Sequence, residues 1–566
     1  MPLNGGIRNA ARISGIDLHD SLAMVACPLD VEGALLLVID LRVDKRCPQS
    51  NVCAVNGILH HWEVCDPRKA VCSLRLLLPG KSVVAEGAQY IHGASMKNPI
   101  FQLAKEFGLL EQAHNKSGTE WSVFTNTQKE LSSDFVKQIR NLFHYILSRA
   151  YIQSQEKGFT KAKSIGSAYL EEIKKLITNW TGDSTNLRSQ KLGFLNMMMK
   201  EDCVDMASND LNGVSLQEYS EYDYIEGGNL NSPRLFCKLI SNLVEVIPRE
   251  KLLLEKPVKQ ILWNGSFKSE DGTHYPVRVV CEDGEHILAD HIIVTASLGY
   301  LKAEAKAFFH PSLPEEKLHA IKNMGYGTTD KVYLEYEVPF WDQDIGPEQR
   351  IGLVWEDETP FSGLKPNLAE WWRRLYSFDV LQPAERYGHI LLGWISGREA
   401  EFMETLTEEE LASNLTRILR QFTGKPVPRP KNLYITKWFS NSYTQGSYSH
   451  ISINSTGDMI DTLAEPLPQE GGDRYPSKKL QLLFAGEATH RSYHSTTHGA
   501  LLSGQREADR LIDHYSTSVC ELTEAGHAPK IRNEVRNMLM LSCQDSTQYW
   551  WKTSTPRKNR VFTTTN

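Results

Sequence analysis

Gln481-Leu482-Leu483-Phe484-Ala485-Gly486-Glu487-Ala488-Thr489-His490, followed by Ser495-Thr496-Thr497-His498-Gly499-Ala500-Leu501-Leu502-Ser503-Gly504, is the stretch on which the reading of this chain turns. The apolar run 480–485 predicts a buried strand that stops at a Gly-Glu pair. Thr496 or Thr497 is a natural N-cap for a following helix, because a threonine hydroxyl accepts from an early helical N–H. The helix, predicted over 499–514, places Leu501, Ala508, Leu511 and Ile512 on one face. Gly504 inside it costs about 1 kcal/mol relative to alanine, which fits a helix that something approaches closely. A helix N-terminus at a strand end also favours negative charge. The local physics leaves an ordinary βα unit and an anion-accepting turn both open.

Upstream of this unit the chain changes character twice. Residues 99–110, 132–154, 169–180 and 232–246 carry apolar residues at helical spacing, and Pro248 lies just past the last of them. A strand-rich block follows, with strands predicted at 258–263, 277–281, 286–288, 291–295, 331–338 and 391–395. Asp283-Gly284 marks a hairpin turn between two of these. A helix is predicted over 406–422. The run 34–39 is apolar, and its periodicity does not decide between strand and helix. This mixture predicts an α/β protein with a helical block inserted.

Composition removes several classes. The 566 residues are 41% hydrophobic and 23% charged, which excludes a disordered or fibrous chain. A net charge of −7 argues against a general nucleic-acid binder. Five of the ten cysteines fall in the first 72 residues, at Cys27, Cys47, Cys53, Cys65 and Cys72, and no Cys-x-x-Cys occurs. That argues against a zinc module or a regular disulfide framework and predicts reduced thiols. The first 30 residues lack a secretory pattern, and the run 34–39 is far below the roughly 20 residues that span a bilayer. The last four residues, Thr563 to Asn566, are no peroxisomal address of the Ser-Lys-Leu type. The expectation is a soluble cytoplasmic protein with no membrane partner.

The C-terminal stretch resembles the flavin motif of polyamine oxidases, nearest to the animal spermine oxidase and N1-acetylpolyamine oxidase group. Further ordered matches are Gly87-Ala88-Gln89-Tyr90-Ile91-His92-Gly93, Glu255-Lys256-Pro257-Val258, Gly327-Thr328-Thr329-Asp330-Lys331, Pro339-Phe340-Trp341 and Gly446-Ser447-Tyr448-Ser449. The resemblance covers about residues 81–515. It implies a two-domain α/β flavin amine oxidase fold, with a Rossmann-like FAD domain interleaved with an α+β substrate domain. On that pattern 81–94, 251–300 and 430–515 belong to the FAD domain. Residues 95–250 and 301–429 belong to the substrate domain, and 516–566 form a tail. It implies FAD as cofactor, and a polyamine and O2 as small-molecule partners. The reaction would give an aldehyde, a shorter amine and hydrogen peroxide. Free and N1-acetylated polyamines both stay open as substrates.

The resemblance also implies roles. Lys331 would hold a water against the flavin, and burial would lower its pKa. His92 would line the substrate tunnel near the reacting amine, and Thr329 would face the substrate. Asp202, or Glu201 if the alignment slips by one residue, would receive a distal ammonium. Tyr448 would form an aromatic wall. Val258 would contact adenine through its backbone, Glu487 the ribityl and pyrophosphate region, and Thr496 and Thr497 the flavin pyrimidine. Trp372 is a further candidate for a flavin-facing aromatic. His490, His494 and His498 would share a face only on a continuous helix, and the helix start at 495–497 argues against a metal site. His494 stands where the family usually has Tyr.

One departure is large. A dinucleotide fold needs Gly-x-Gly-x-x-Gly between a strand and a helix, so that the backbone can approach the pyrophosphate. The first 80 residues contain no Gly-x-Gly. Residues 1–80 therefore read as a remnant or replacement of the ADP-binding unit. Three explanations stand: a start exchanged by splicing or gene-assembly error, a relative that has lost its cofactor, or an altered mode of FAD binding. The alternative to an oxidase is a catalytically silent binding or scaffold protein on the same shell.

Overall fold

Residues 331–338 were expected to alternate as a strand, and in the computed structural model of the chain the strand is Thr329–Tyr336, with every residue buried. Period two sorts its side chains. Val332, Leu334 and Tyr336 enter an apolar layer with Leu411, Leu415, Ile418, Leu419 and Phe422 of the helix Glu408–Thr423. Tyr333 packs instead with Val84, Ile390 and Leu392. Lys331 shares the Tyr333 side, as spacing by two requires, and reaches the segment just after Val84. The helix begins with a capping box, Thr407 with Glu410, and ends at Gly424 in the left-handed region.

The structure describes residues 22–25, 36–39, 74–76, 83–110, 120–156, 163–231, 235–245, 247, 252–254, 256–341, 349–362, 368–468 and 480–524. The five clustered cysteines and the chain beyond 524 lie outside them. Cys203, Cys237 and Cys281 are buried and form no disulfide. By contacts the chain divides into Met1–Ala508 and Asp509–Asn566, and the site lies in the first. Among the described residues no helix is long and apolar enough to cross a membrane.

Thr329–Tyr336 is the second strand of a seven-stranded sheet. The order is Asn432–Ile435, Thr329–Tyr336, His389–Ser396, Ser377–Val380, Gln349–Val354, Glu120–Thr125 and Glu130–Leu131. Neighbours are antiparallel except Gln349–Val354 and Glu120–Thr125, which run parallel. The helices Ser133–Gln155, Ile165–Ile177 and Thr185–Asp205 form a second core with Val123, Leu131 and Val354. Thr185–Asp205 has no amphipathic stripe to announce it. Phe194 to Lys200 are all buried, so apolar residues surround the axis instead of lining one side.

The second major sheet has five strands, in the order Leu482–Phe484, His291–Val294, Leu36–Ile39, Leu22–Val25 and Leu252–Leu253. Within the run 34–39, residues Leu36–Ile39 form a strand. Leu36–Ile39 is antiparallel to both of its neighbours, whereas His291–Val294 is parallel to Leu482–Phe484 and Leu22–Val25 is parallel to Leu252–Leu253. The helices Leu298–Phe308, Glu315–Asn323 and Gly457–Ala464 pack on this side of the molecule. Lys317, buried, donates to the carbonyls of Thr462, Leu463 and Glu465 at 2.7, 2.9 and 2.7 Å and so caps the C-terminus of Gly457–Ala464.

The C-terminal turn is closed by Glu487, which is fully buried. Its carboxylate accepts from Ser449 N at 3.2 Å, Ser449 Oγ at 2.6 Å and Ser495 N at 2.6 Å. Burial pushes it up to about 7, against those hydrogen bonds.

Two outcomes follow from this packing. Leu415→Ala, at a fully buried position, is expected to cost about 2–5 kcal/mol of stability in urea denaturation; a loss below 1 kcal/mol would show that this layer is not a packed core. A carboxyl with a raised folded-state pKa contributes stability below the ordinary carboxyl range and loses it as pH rises through about 7. Between pH 4.5 and 7.5, Glu487→Gln should therefore gain about 2–3 kcal/mol relative to the parent protein. Parallel stability–pH curves would remove Glu487 as the titrating group.

Candidate active site

Lys331 is brought to the centre by the strand alternation. Its Nζ donates to Ala85 O at 2.8 Å, Gly87 O at 2.6 Å and Gln89 Oε1 at 3.2 Å. It also lies 4.8 Å from the centre of the Trp394 ring. Trp394 is the register partner of Lys331 on the adjacent strand, a neighbour that no local pattern in the sequence signals. Burial lowers the lysine pKa to about 7, with Glu86 opposing. Three acceptors suit an ammonium and the apolar surroundings suit an amine, so Lys331 takes up or releases a proton near neutrality. Its hydrogen bonds run to protein oxygens, so the expected water-holding role requires that one of them be exchanged.

His92 is set by its neighbours in sequence. The pair Tyr90–Ile91 forms a short antiparallel bridge with Leu230–Asn231. Asn98 caps the helix Pro99–Glu106 with its Oδ1 and donates from Nδ2 to His92 O at 2.7 Å. Gly93 has φ +68°, and a Cβ there would lie 2.4 Å from Ile225 O, so only glycine turns the chain at this point. The His92 ring is solvent-accessible, yet desolvation lowers its pKa, and its Nδ1 sits 3.2 Å from Asn229 Oδ1.

The helix Thr185–Asp205 delivers the acids. Glu201 is paired with Arg350, which also binds Asp379. Asp202 accepts from Tyr169 Oη at 2.7 Å, and burial with Asp205 and Glu201 nearby raises its pKa. The next carbonyl but one, Val204 O, accepts from both Tyr448 Oη and Thr329 Oγ1. Tyr448 remains half-buried beside this helix end. Thr329 is a correction: it was expected to face the substrate, but it is buried and its hydroxyl is committed to Val204 O at 3.1 Å. It acts as a bracket for the helix end. Gly327 seals the same joint, since a Cβ there would meet Ala207 O at 1.8 Å.

At the C-terminal unit, Thr496 is the cap. Its Oγ1 accepts from Gly499 N at 3.0 Å and donates to Tyr493 O at 2.7 Å. Thr497 opens the helix Thr497–Glu524, and both threonines are buried. His490 ends a separate 3-10 turn, Glu487–Thr489, so the three histidines do not share one helix face. Burial lowers His490 and His494 to about 4 and His498 to about 3, leaving them neutral. His494 packs edge-on against Tyr222 at 5.6 Å, so an aromatic contact persists where Tyr was expected.

One expected cofactor residue is placed otherwise. The Trp372 ring carries the Arg417 guanidinium at 4.4 Å and contacts Trp371 at 6.1 Å within the seven-stranded-sheet core. Trp372 is thereby corrected to a packing residue, and the aromatic against Lys331 is Trp394. Val258 opens the strand Val258–Leu262, opposite Cys281 and next to a register shift.

The residues fit FAD at its ring end. Gln89 Nε2 and His498 Nε2 are buried polar atoms without a partner among the described residues. One sits beside Lys331 and the other in the first turn of the Thr497 helix, where an electron-rich heterocycle is favoured. At the nucleotide end the described strands do not supply the expected unit. Leu22–Val25 and Leu36–Ile39 are antiparallel neighbours, whereas a pyrophosphate cradle needs parallel strands joined through a helix.

Comparison with known proteins agrees with this arrangement. The family described as flavin containing amine oxidoreductase matches residues 80–512. The peroxisomal N(1)-acetyl-spermine/spermidine oxidase of Homo sapiens is 40% identical over 454 residues, 77% of this chain and 86% of that protein. The protein of the same name from Bos taurus is 39% identical over 447 residues, covering 76% and 85%. The probable polyamine oxidase 5 of Arabidopsis thaliana is 29% identical over 495 residues, covering 76% and 88%. Flavin, as FAD, is the cofactor this family implies. With residues 80–512 matched by the family model and a relative 40% identical over most of both chains, the chain belongs to the flavin containing amine oxidoreductase family.

Proposed function

We propose that this chain oxidises polyamines of the spermine type, free or N1-acetylated, consuming O2 and releasing an aldehyde, a shorter amine and hydrogen peroxide. The observation that carries the reading is the buried, near-neutral Lys331 set against the Trp394 ring, in a chain whose family and relatives are amine oxidases. Bound flavin supplies a two-electron acceptor for the carbon next to a nitrogen, with O2 as the final oxidant. The chain's own residues do the rest.

Thr496, Thr497, Gln89 and Lys331 would hold the ring. Trp394 would cover it on the lysine side, and Glu487 keeps the 449 and 495 segments together behind it. The acidic end of Thr185–Asp205 attracts the polycation, and desolvation strengthens that attraction. His92, kept neutral by its surroundings, can accept a hydrogen bond from the reacting amine, which must lose its proton before oxidation. Lys331, poised near pH 7, holds or moves the proton on the opposite side, and it can position the water that hydrolyses the imine. Tyr448 and the Tyr222–His494 pair confine the methylene chain.

The purified chain should show flavin absorbance near roughly 450 nm and release peroxide with spermine or N1-acetylspermine; a colourless, folded protein that makes no peroxide would leave the silent-scaffold alternative. Lys331→Met should slow turnover by about tenfold or more while keeping the flavin absorbance, and should lose the pH inflection near 7. Unchanged turnover in that variant would take Lys331 out of the mechanism.

A further inference from the structure

Glu86 stands directly before the motif 87–93, and it is a buried acid. A buried carboxylate is costly unless a hydrogen bond or an opposite charge compensates it. Among the described residues its one hydrogen-bond donor is the hydroxyl of Tyr434. The opposite charge is Lys331.

Strand geometry explains how the three meet. Lys331 and Tyr333 lie two positions apart on the strand Thr329–Tyr336 and so project from one face. Tyr434, on the edge strand Asn432–Ile435, is the register partner of Tyr333 and shares that face. The two phenol rings stack with centres 6.4 Å apart and planes 21° from parallel. The segment 85–87 lies against this face. The carbonyls on either side of Glu86, those of Ala85 and Gly87, accept from Lys331 Nζ at 2.8 and 2.6 Å. Ala85 O also accepts from Tyr333 Oη at 2.7 Å. The Glu86 side chain reaches the edge strand, where Tyr434 holds it. Three consecutive residues thus supply two of the three acceptors of the lysine and an acid between them.

We propose that Glu86 is a positioning residue for the oxidation: latched by Tyr434, it holds the Ala85 and Gly87 carbonyls against Lys331, adds a counter-charge, and so governs whether Lys331 is ammonium or amine. This rests on the role of Lys331 in the polyamine reading and deepens it. Two effects oppose each other at the lysine. Desolvation drives the proton off, and the Glu86 charge retains it. The other titratable groups on this face are the phenols of Tyr90, Tyr333 and Tyr434. Burial holds the Tyr333 phenol well above its ordinary range, so it stays neutral. Trp394 closes the far side without a charge. Without the acid, the same pocket would hold the lysine as an amine at neutral pH, unable to take up a proton during turnover.

The test uses the full chain with bound flavin, and spermine as substrate. The inflection that belongs to Lys331 in the profile of kcat against pH is the one lost in Lys331→Met. Glu86→Gln keeps an acceptor for Tyr434 and removes the charge, so this inflection should move to lower pH by about one pH unit or more. Glu86→Asp keeps the charge and should leave it within about half a pH unit of the parent protein. In the Lys331→Met background, Glu86→Gln should leave the profile unchanged. A second readout needs no turnover. A lysine that binds its proton less tightly folded than unfolded adds stability as pH rises above its folded pKa. The urea-denaturation difference between Lys331→Met and its parent should therefore begin to change about one pH unit lower in the Glu86→Gln background. An inflection in Glu86→Gln within about 0.3 pH unit of the parent protein would overturn the proposal and leave polyamine oxidation intact. Equal shifts in Glu86→Gln and Glu86→Asp would mark a merely structural role and overturn it too. A parent protein that releases no peroxide with spermine or N1-acetylspermine would instead bring down the polyamine reading, and this proposal with it.

Discussion

One carbonyl oxygen holds the substrate side of this molecule together. Val204 O, at the end of a 21-residue helix, accepts from the hydroxyls of Tyr448 and Thr329, which come from two other parts of the chain. Helix ends leave carbonyls unsatisfied, and burying one without a partner is costly. Here the unmet acceptor becomes a joint. It fixes the acids of the last helical turn relative to the strand that carries Lys331, and Gly327 allows the two backbones to meet at Ala207. A larger residue at 327 would part the joint.

The electrostatics around that joint are one-sided. Histidines 490, 494 and 498 are kept neutral by burial, and Lys331 is brought to the edge of neutrality. Positive charge is thereby suppressed near the ring end, while the acidic side chains gather at the helix end. For a polycation whose reacting nitrogen must be deprotonated, this division separates the two demands. Under the proposed function the distal charges would meet carboxylates, and the reacting nitrogen would meet neutral imidazole and a near-neutral amine.

Much of the fold was legible because its period was clean. The strand at 291–295, the Asp283-Gly284 hairpin, the helices at 132–154 and 406–422 and the cap at Thr496 all announce themselves locally. The helix Thr185–Asp205 did not, because it is buried on nearly all sides and shows no stripe. Thr329 and Trp372 matched a pattern and yet sit elsewhere in function, one bracketing a helix, the other under an arginine.

The sequence by itself determined the α/β class through alternation, capping residues and glycines, which act over a few positions, and its ordered motifs resemble those of the polyamine oxidases, which implies FAD as cofactor. It also showed that the first 80 residues lack the glycine loop of a dinucleotide fold. Only the tertiary structure decided which tryptophan stands against Lys331, and that the strands 22–25 and 36–39 enter the sheet as antiparallel neighbours. The reason is range. Backbone preferences are local, whereas desolvation, ring contacts and strand direction depend on residues far apart in the chain, and none of these has a value until the chain has folded around it.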